Sequence, residues 1–380
     1  MWTKAGELGN EKLVEYVQTL KPKLRQLTLF PPDLCNYRCK MCHIWGETGW
    51  GPKQPQKVID EQLEIEVIKR FINEVLEVNR KINVIITGGE PLLYKYFTEL
   101  VTFLRAKKLP VYLLTNGSLI HEQLQFLLNN IIAMNISLDG PEEYHDSIRG
   151  PGSFTNVCRN IELLIKEKKK SDKIFPYINI NMVVSQYNYK SAKDFLKVLR
   201  ARFQGVNIIL QDSKNPWIKR RDLSVSFSPV IFTTREHGNQ YAAAMKQHLD
   251  CNVSYAWEGV VEDQLEIDAV ALKKDLEEIW SSEGTDYSDF IDLEVYFNQI
   301  ENLFGRSKCL APWHELGIRR TGDAYPCVDF PDYPFGNIYK SSFQDIWEGH
   351  RANRFRDYLK KQNLTICNRC CRIFADKESY

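Results

Sequence analysis

From about Arg25 onward, short apolar runs alternate with longer segments whose apolar residues recur three and four positions apart. The runs are 26-QLTLF-30, 82-INVIIT-87, 111-VYLL-114, 131-IIAMNISL-138, 177-YININMVV-184 and 206-VNIIL-210. Between them lie 60-DEQLEIEVIKRFINEVLEV-78, 94-YKYFTELVTFLRAKK-108, 119-LIHEQLQFLLNN-130, 155-TNVCRNIELLIKEKKK-170 and 190-KSAKDFLKVLRARF-203. Continuous β-branched runs separated by helical patterns predict an α/β fold, a parallel sheet with helices packed outside it. Six such units fit a partial (β/α)6 TIM barrel, whose functional groups gather at the C-terminal ends of the strands.

The polar residues obey that rule. Cys35, Cys39 and Cys42 follow the first run, 88-GGEP-91 the second and 115-TNG-117 the third. Ser137 and Asp139 end the fourth, and Gln211 and Asp212 end the sixth. The formal net charge of +1 gives no general attraction to nucleic acid or to an anionic membrane, and neither is expected as a partner. No apolar run approaches the length of a membrane span, and the polar N-terminus does not read as a signal peptide, so a cytoplasmic protein is expected. Ten cysteines then call for metal rather than disulfides, and eight of them fall in two clusters, 35–42 and 309–371. Cys158 and Cys251 stand alone and read as small buried hydrophobes.

A CxxxCxxC loop supplies three thiolates where a structural zinc site or an iron–sulfur cube ordinarily takes four. Three ligands leave one metal position open for a reactive partner. With its place after the first strand and the motifs downstream, this loop resembles that of the radical S-adenosylmethionine (SAM) enzymes. The resemblance extends over nearly the whole chain. It implies a 4Fe–4S cluster held by Cys35, Cys39 and Cys42, with SAM chelating the fourth iron. An electron from the reduced cluster then cleaves SAM to methionine and a 5′-deoxyadenosyl radical, which takes a hydrogen from the substrate. Met41 departs from the aromatic residue frequent at that position in the family.

The same resemblance assigns SAM contacts. Gly88, Gly89, Glu90 and Pro91 match the GGEP motif, with Glu90 pairing with the methionine ammonium. Pro91 also suits the first position of a helical turn. Asn116 is expected near the ribose or sulfonium, and Ser137 and Asp139 near the ribose and the amino-acid part of SAM. Arg149 is expected at the SAM carboxylate, which suits a guanidinium fork. Val184, with Val183, is a candidate for packing on adenine, although plain sheet core explains it equally. His145 is expected to shape its loop.

Near the C-terminus, 309-CLAPWHELGIRRTGDAYPC-327 precedes 367-CNRCC-371. A β-hairpin turning at Thr321–Gly322–Asp323 is expected between the first two thiols, and a helix over 342–361 before the last ones. Taken alone, these cysteines suit structural zinc as well as a cluster. The order resembles the SPASM domain and its shorter twitch form, which implies one auxiliary 4Fe–4S cluster held by Cys309, Cys327, Cys367 and Cys370, with Cys371 an alternative to Cys370. The expected organisation is an N-terminal extension over 1–24, a radical SAM core over 25–212, a bridging or lid segment over 213–305 and the auxiliary domain over 306–380.

Asp212 is a candidate acid–base group at the cavity, with loop capping as its competing role. The expected partners are a small-molecule or peptide substrate and an external one-electron donor such as flavodoxin or ferredoxin. The small polar metabolite is the preferred expectation, because only about 25 residues precede the first strand, little for a module that recognises a leader peptide. Modification of a ribosomally made peptide is the alternative, and a zinc-stabilised binding scaffold the non-enzymatic one.

Overall fold

The computed structural model describes residues 10–210, 223–263, 265–282, 293–298 and 309–369. Asp212, Cys370 and Cys371 therefore lie outside the described residues. Five expected strands form where their patterns put them: β1 (Gln26–Phe30), β2 (Asn83–Ile86), β3 (Val111–Thr115), β4 (Ala133–Ser137) and β5 (Tyr177–Val184). They pair in that order, all parallel.

The sixth place differs from expectation. The strand beside β5 is β7 (Leu223–Pro229), and β6 (Ile208–Leu210) is pushed to the sheet edge beyond it. The stretch 223-LSVSFSP-229 thus lies in the sheet, although its serines make it resemble a polar loop. At the other edge β8 (Glu315–Arg319) runs parallel to β1, and β9 (Asp323–Tyr325) and β10 (Gly336–Asn337) continue antiparallel. The hairpin between β8 and β9 turns at Gly322, whose φ of 81° suits glycine. One ten-stranded sheet, in the order β10-β9-β8-β1-β2-β3-β4-β5-β7-β6, therefore carries both cysteine regions.

One face of this sheet is apolar and covered. Leu27, Leu29, Val84, Ile86, Leu113, Ile136, Ile178, Ile180, Val225 and Ile318 are all buried in a single core. Helix Ile65–Val78 illustrates the packing, burying Ile65, Ile68, Phe71, Ile72 and Val75 along one stripe, each worth roughly 1.5–3 kcal/mol. It starts later than the pattern at 60–78 suggests. Residues 61–64 run extended, with Leu63 N donating to Pro31 O at 3.1 Å, and so brace the loop that leaves β1. The expected helix over 342–361 is two, Phe343–Trp347 and His350–Lys361, the first opened by a capping box between Ser342 and Asp345. Among the described residues no helix is long and apolar enough to cross a membrane.

Candidate active site

Because β1 to β5, β7 and β8 are parallel, their C-terminal ends share one edge of the sheet, and the loops after them meet there. The cysteine loop leaves β1 through Pro31, Pro32 and Asp33 and is held by backbone bonds to the motif after β2. Gly89 N donates to Pro32 O at 3.0 Å and Glu90 N to Leu34 O at 2.8 Å. This contact explains the two glycines. A Cβ on Gly88 would stand 2.4 Å from Pro32 O, and one on Gly89 2.2 Å from Leu34 O. Both glycines admit the backbone that leads into Cys35.

Glu90 is fully buried and its carboxylate ties three segments together. Oε1 accepts from Leu92 N (3.1 Å) and from the Thr115 hydroxyl (2.8 Å), while Oε2 accepts from Asn116 N (2.8 Å). It thereby caps the short turn Pro91–Leu93, with Pro91 in the first position. Burial pushes its pKa up to about 6 against the three donors, which favour the anion.

Cys35, Cys39 and Cys42 are all free thiols. Cys35 Sγ accepts from Tyr37 N at 3.4 Å and Cys42 Sγ from Trp45 N at 3.3 Å, the N–H···S bonds that ligand sulfurs receive. Burial pushes the Cys39 thiol up to about 12, eased by Arg149, with Cys42, Asp139 and Cys35 adding to the rise. Cys39 is buried and Cys35 and Cys42 are half-buried, and three thiols on one short loop, each a metal ligand as its thiolate, are a donor set that fits a metal cluster. Cys35, Cys39 and Cys42 would hold such a cluster, which when bound and reduced would supply the electron that splits the sulfonium of SAM.

Arg149 lies at the centre of the site electrostatically, acting on Cys39, Glu90 and Tyr37. Its Nε donates to Asp139 Oδ2 at 2.6 Å, and burial of the guanidinium is outweighed by that carboxylate, which holds its pKa above the ordinary value. Asp139, fully buried, also accepts from Val183 N at 3.0 Å and so joins the ends of β4 and β5. Asp139 N donates to His145 Nδ1 at 2.9 Å, which fixes the ring as the Nε2–H tautomer. Burial drives the His145 pKa down to about 2, so the ring stays neutral and shapes the loop. Lys40 N donates to Ile148 O at 3.1 Å, binding the cysteine loop to helix Glu142–Arg149.

Ser137 is half-buried at the end of β4. Val184 is 2% exposed and belongs to the apolar core, so packing alone accounts for it. Asn116 is occupied on both amide atoms by protein partners, Nδ2 by Asn36 and Cys35 and Oδ1 by Ser118.

Sequence reasoning missed the polar inner face. Asn135, Asn179, Asn181, Ser224, Ser226 and Ser228 alternate with core residues and interlock across strands. Asn179 Nδ2 donates to Asn135 Oδ1 (2.9 Å) and Ser226 Oγ (2.7 Å), and the hydroxyls of Ser226 and Ser228 donate to Asn181 Oδ1 (2.9 and 2.8 Å). The signal was present as asparagine and serine at every second position of 177-YININMVV-184 and 223-LSVSFSP-229. Missed too was Arg320, at the end of β8. Its Nε donates to Asp33 Oδ2 (2.6 Å) and its Nη1 to Glu61 Oε2 (2.5 Å), fastening the C-terminal hairpin to the cysteine loop.

In the C-terminal region, burial pushes Cys327 up to about 12, and the neighbouring charges of Asp329 and Cys367 add to the rise. Cys327 Sγ accepts from Phe330 N at 3.3 Å. Cys367, half-buried like Cys327, is pushed up to about 11 by desolvation. Cys309 is half-buried just before β8. This is again a donor set that ionises on binding metal.

The family model of the radical SAM superfamily matches residues 29–199, and that of the SPASM iron–sulfur cluster-binding domain matches residues 309–371. An AdoMet-dependent heme synthase from Methanosarcina barkeri is 32% identical over 340 residues, 87% of this chain and 83% of its own length. The chain belongs to the radical SAM superfamily. It is a radical SAM enzyme with a C-terminal SPASM domain, and its cofactors are SAM and 4Fe–4S clusters. The serine-type anaerobic sulfatase-maturating enzyme of Bacteroides thetaiotaomicron is 25% identical over 367 residues, 90% of this chain and 78% of its own length. In fold, the chain is similar to the solved structure of anSMEcpe with bound AdoMet and a Cp18Cys peptide, with a TM-score of 0.59 and 19% identity over 90% of this chain and 84% of that one.

Proposed function

We propose that this radical SAM enzyme modifies a polypeptide, abstracting a hydrogen from one of its residues, and uses the auxiliary cluster to take up or relay an electron. The observation that carries the reading is the likeness to a sulfatase-maturating enzyme along 90% of the chain. It reverses the preference for a small polar metabolite that the short N-terminal extension suggested. The inner face supports it chemically: Asn135, Asn181, Ser226 and Ser228 are uncharged donors and acceptors, the groups that peptide amides pair with.

In this reading Cys35, Cys39 and Cys42 hold the SAM-binding cluster. Gly88 and Gly89 set the course of the cysteine loop, Glu90 and Pro91 lock the strand ends, and Asp139 aims Arg149 at the SAM carboxylate. Ser137 faces the ribose. Cys309, Cys327, Cys367 and Cys370 hold the auxiliary cluster, Asp212 is the acid–base candidate, and a low-potential flavodoxin or ferredoxin delivers the electron. A small-molecule substrate is the second reading, favoured by the 32% identity to a heme synthase.

Anaerobic incubation with SAM, a reductant and deuterated candidates separates the two. The candidates are the short polypeptides encoded beside the gene and, in parallel, small metabolites including tetrapyrroles. Deuterium entering 5′-deoxyadenosine from a polypeptide supports the first reading, and transfer only from a small molecule overturns it.

A further inference from the structure

We propose that Asn116 is a positioning residue of the SAM-binding cluster, its side-chain amide donating to the sulfur of Cys35 from a pose locked by Asn36 and Ser118. The inference rests on Cys35 being a ligand of that cluster. Asn116 Nδ2 donates to Asn36 Oδ1 at 2.8 Å, Asn36 Nδ2 donates to Ser118 Oγ at 2.8 Å, and Ser118 Oγ donates to Asn116 Oδ1 at 2.6 Å. The three side chains close a ring. Ser118 N donates to the same Oδ1 at 2.9 Å, and a backbone N–H cannot reverse its role. Asn116 Oδ1 must therefore face Ser118, and its NH2 group must face Asn36 and Cys35.

Of the two hydrogens on Nδ2, Asn36 takes one. The other is left for Cys35 Sγ at 3.8 Å, the long end of an N–H···S bond. The main chain is pinned as well, since Asn116 N donates to Glu90 Oε2 at 2.8 Å. Asn116 is 7% exposed and Ser118 3%, so water competes weakly for these groups. Tyr37 N gives Cys35 a second donor, whereas Trp45 N is the donor to Cys42. Among the described residues Cys35 thus receives two N–H donors and Cys42 one. Donors to a cluster sulfur stabilise the extra negative charge of the reduced form and raise its reduction potential. Asn116 acts on the potential at which the cluster accepts an electron, beyond any contact it makes with SAM.

The test is an electron paramagnetic resonance (EPR)-monitored redox titration of the anaerobically reconstituted full chain, following the cluster signal that changes on SAM addition. Asn116→Leu keeps the volume and removes the donor. The expected result is a lower midpoint potential for that cluster, with iron and sulfide content and the auxiliary signal unchanged, a change that a merely structural role would not produce. A midpoint equal to or above that of the wild type overturns the proposal. Should Asn116→Leu not take up iron, wild-type protein carrying 15N in its asparagine side chains answers the same question. A 15N coupling to the reduced, SAM-sensitive cluster in electron spin-echo spectra is expected, and its absence overturns the inference. A wild type with no SAM-sensitive cluster overturns the reading of Cys35 as a ligand along with it, whereas an unmoved potential in Asn116→Leu overturns the role of Asn116 alone.

Discussion

At the scale of single residues, the site is built by polar groups turned inward. Glu90 illustrates the rule, with three donors converging on a carboxylate that has no exposed surface. Glu90→Ala leaves Leu92 N, the Thr115 hydroxyl and Asn116 N without their acceptor, and the expected loss is roughly 2–4 kcal/mol of stability, read from urea unfolding. His145 sets a pH dependence. Its pKa is lowered to about 2, so below about pH 6.5 the unfolded chain takes up a proton that the native chain refuses. Stability therefore falls as pH falls, by up to ~1.4 kcal/mol per pH unit from this site. His145→Asn, which keeps an acceptor for Asp139 N, is expected to flatten the fall between about pH 6.5 and 5 in parallel urea titrations. Part of the slope persists, because His43 and His314 are both lowered to about 4. The cysteine loop, the GGEP motif and the polar end of the fourth run at Ser137 and Asp139 were legible in the sequence because they are local. The inward role of Glu90 was not, since its partners Thr115 and Asn116 come from another strand end.

At the scale of elements, strands with continuous apolar runs were legible, and β1 to β5 form where expected. β7 was not, because its serines face the polar inner side, where they pair with Asn179 and Asn181, and the core takes only alternate residues. Helix Glu142–Arg149 also escaped notice, being two turns long and opening after Pro141. The junction between hairpin and cysteine loop rests on Arg320, 8% exposed, facing Asp33 at 4%. Arg320→Met leaves the Asp33 carboxylate buried without its cation, and the expected loss is about 3–5 kcal/mol. Because Asp33 stands two residues before Cys35, the same variant is expected to retain less iron after desalting, read by iron analysis beside the unfolding curve.

At the scale of the whole molecule, one sheet joins the two cysteine regions, with β8 laid directly against β1. The region expected as the auxiliary domain shares the core sheet through the pairing of Thr28 with Gly317 and Phe30 with Arg319, a long-range register that no local pattern reports. A division of labour follows. Alanine at Cys35, Cys39 or Cys42 is expected to abolish 5′-deoxyadenosine formation, whereas Cys327→Ala spares SAM cleavage more than product formation, both read by chromatography of one reaction. Equal loss in Cys327→Ala would count against a separate redox role for the auxiliary cluster. The most direct test of the whole account is Mössbauer spectroscopy of anaerobically purified, 57Fe-reconstituted protein with and without SAM. The account predicts 4Fe–4S clusters of which one, lost in Cys39→Ala, shows a single iron site that changes when SAM is added. Zinc in that loop, or a cluster whose irons are all indifferent to SAM, would contradict it.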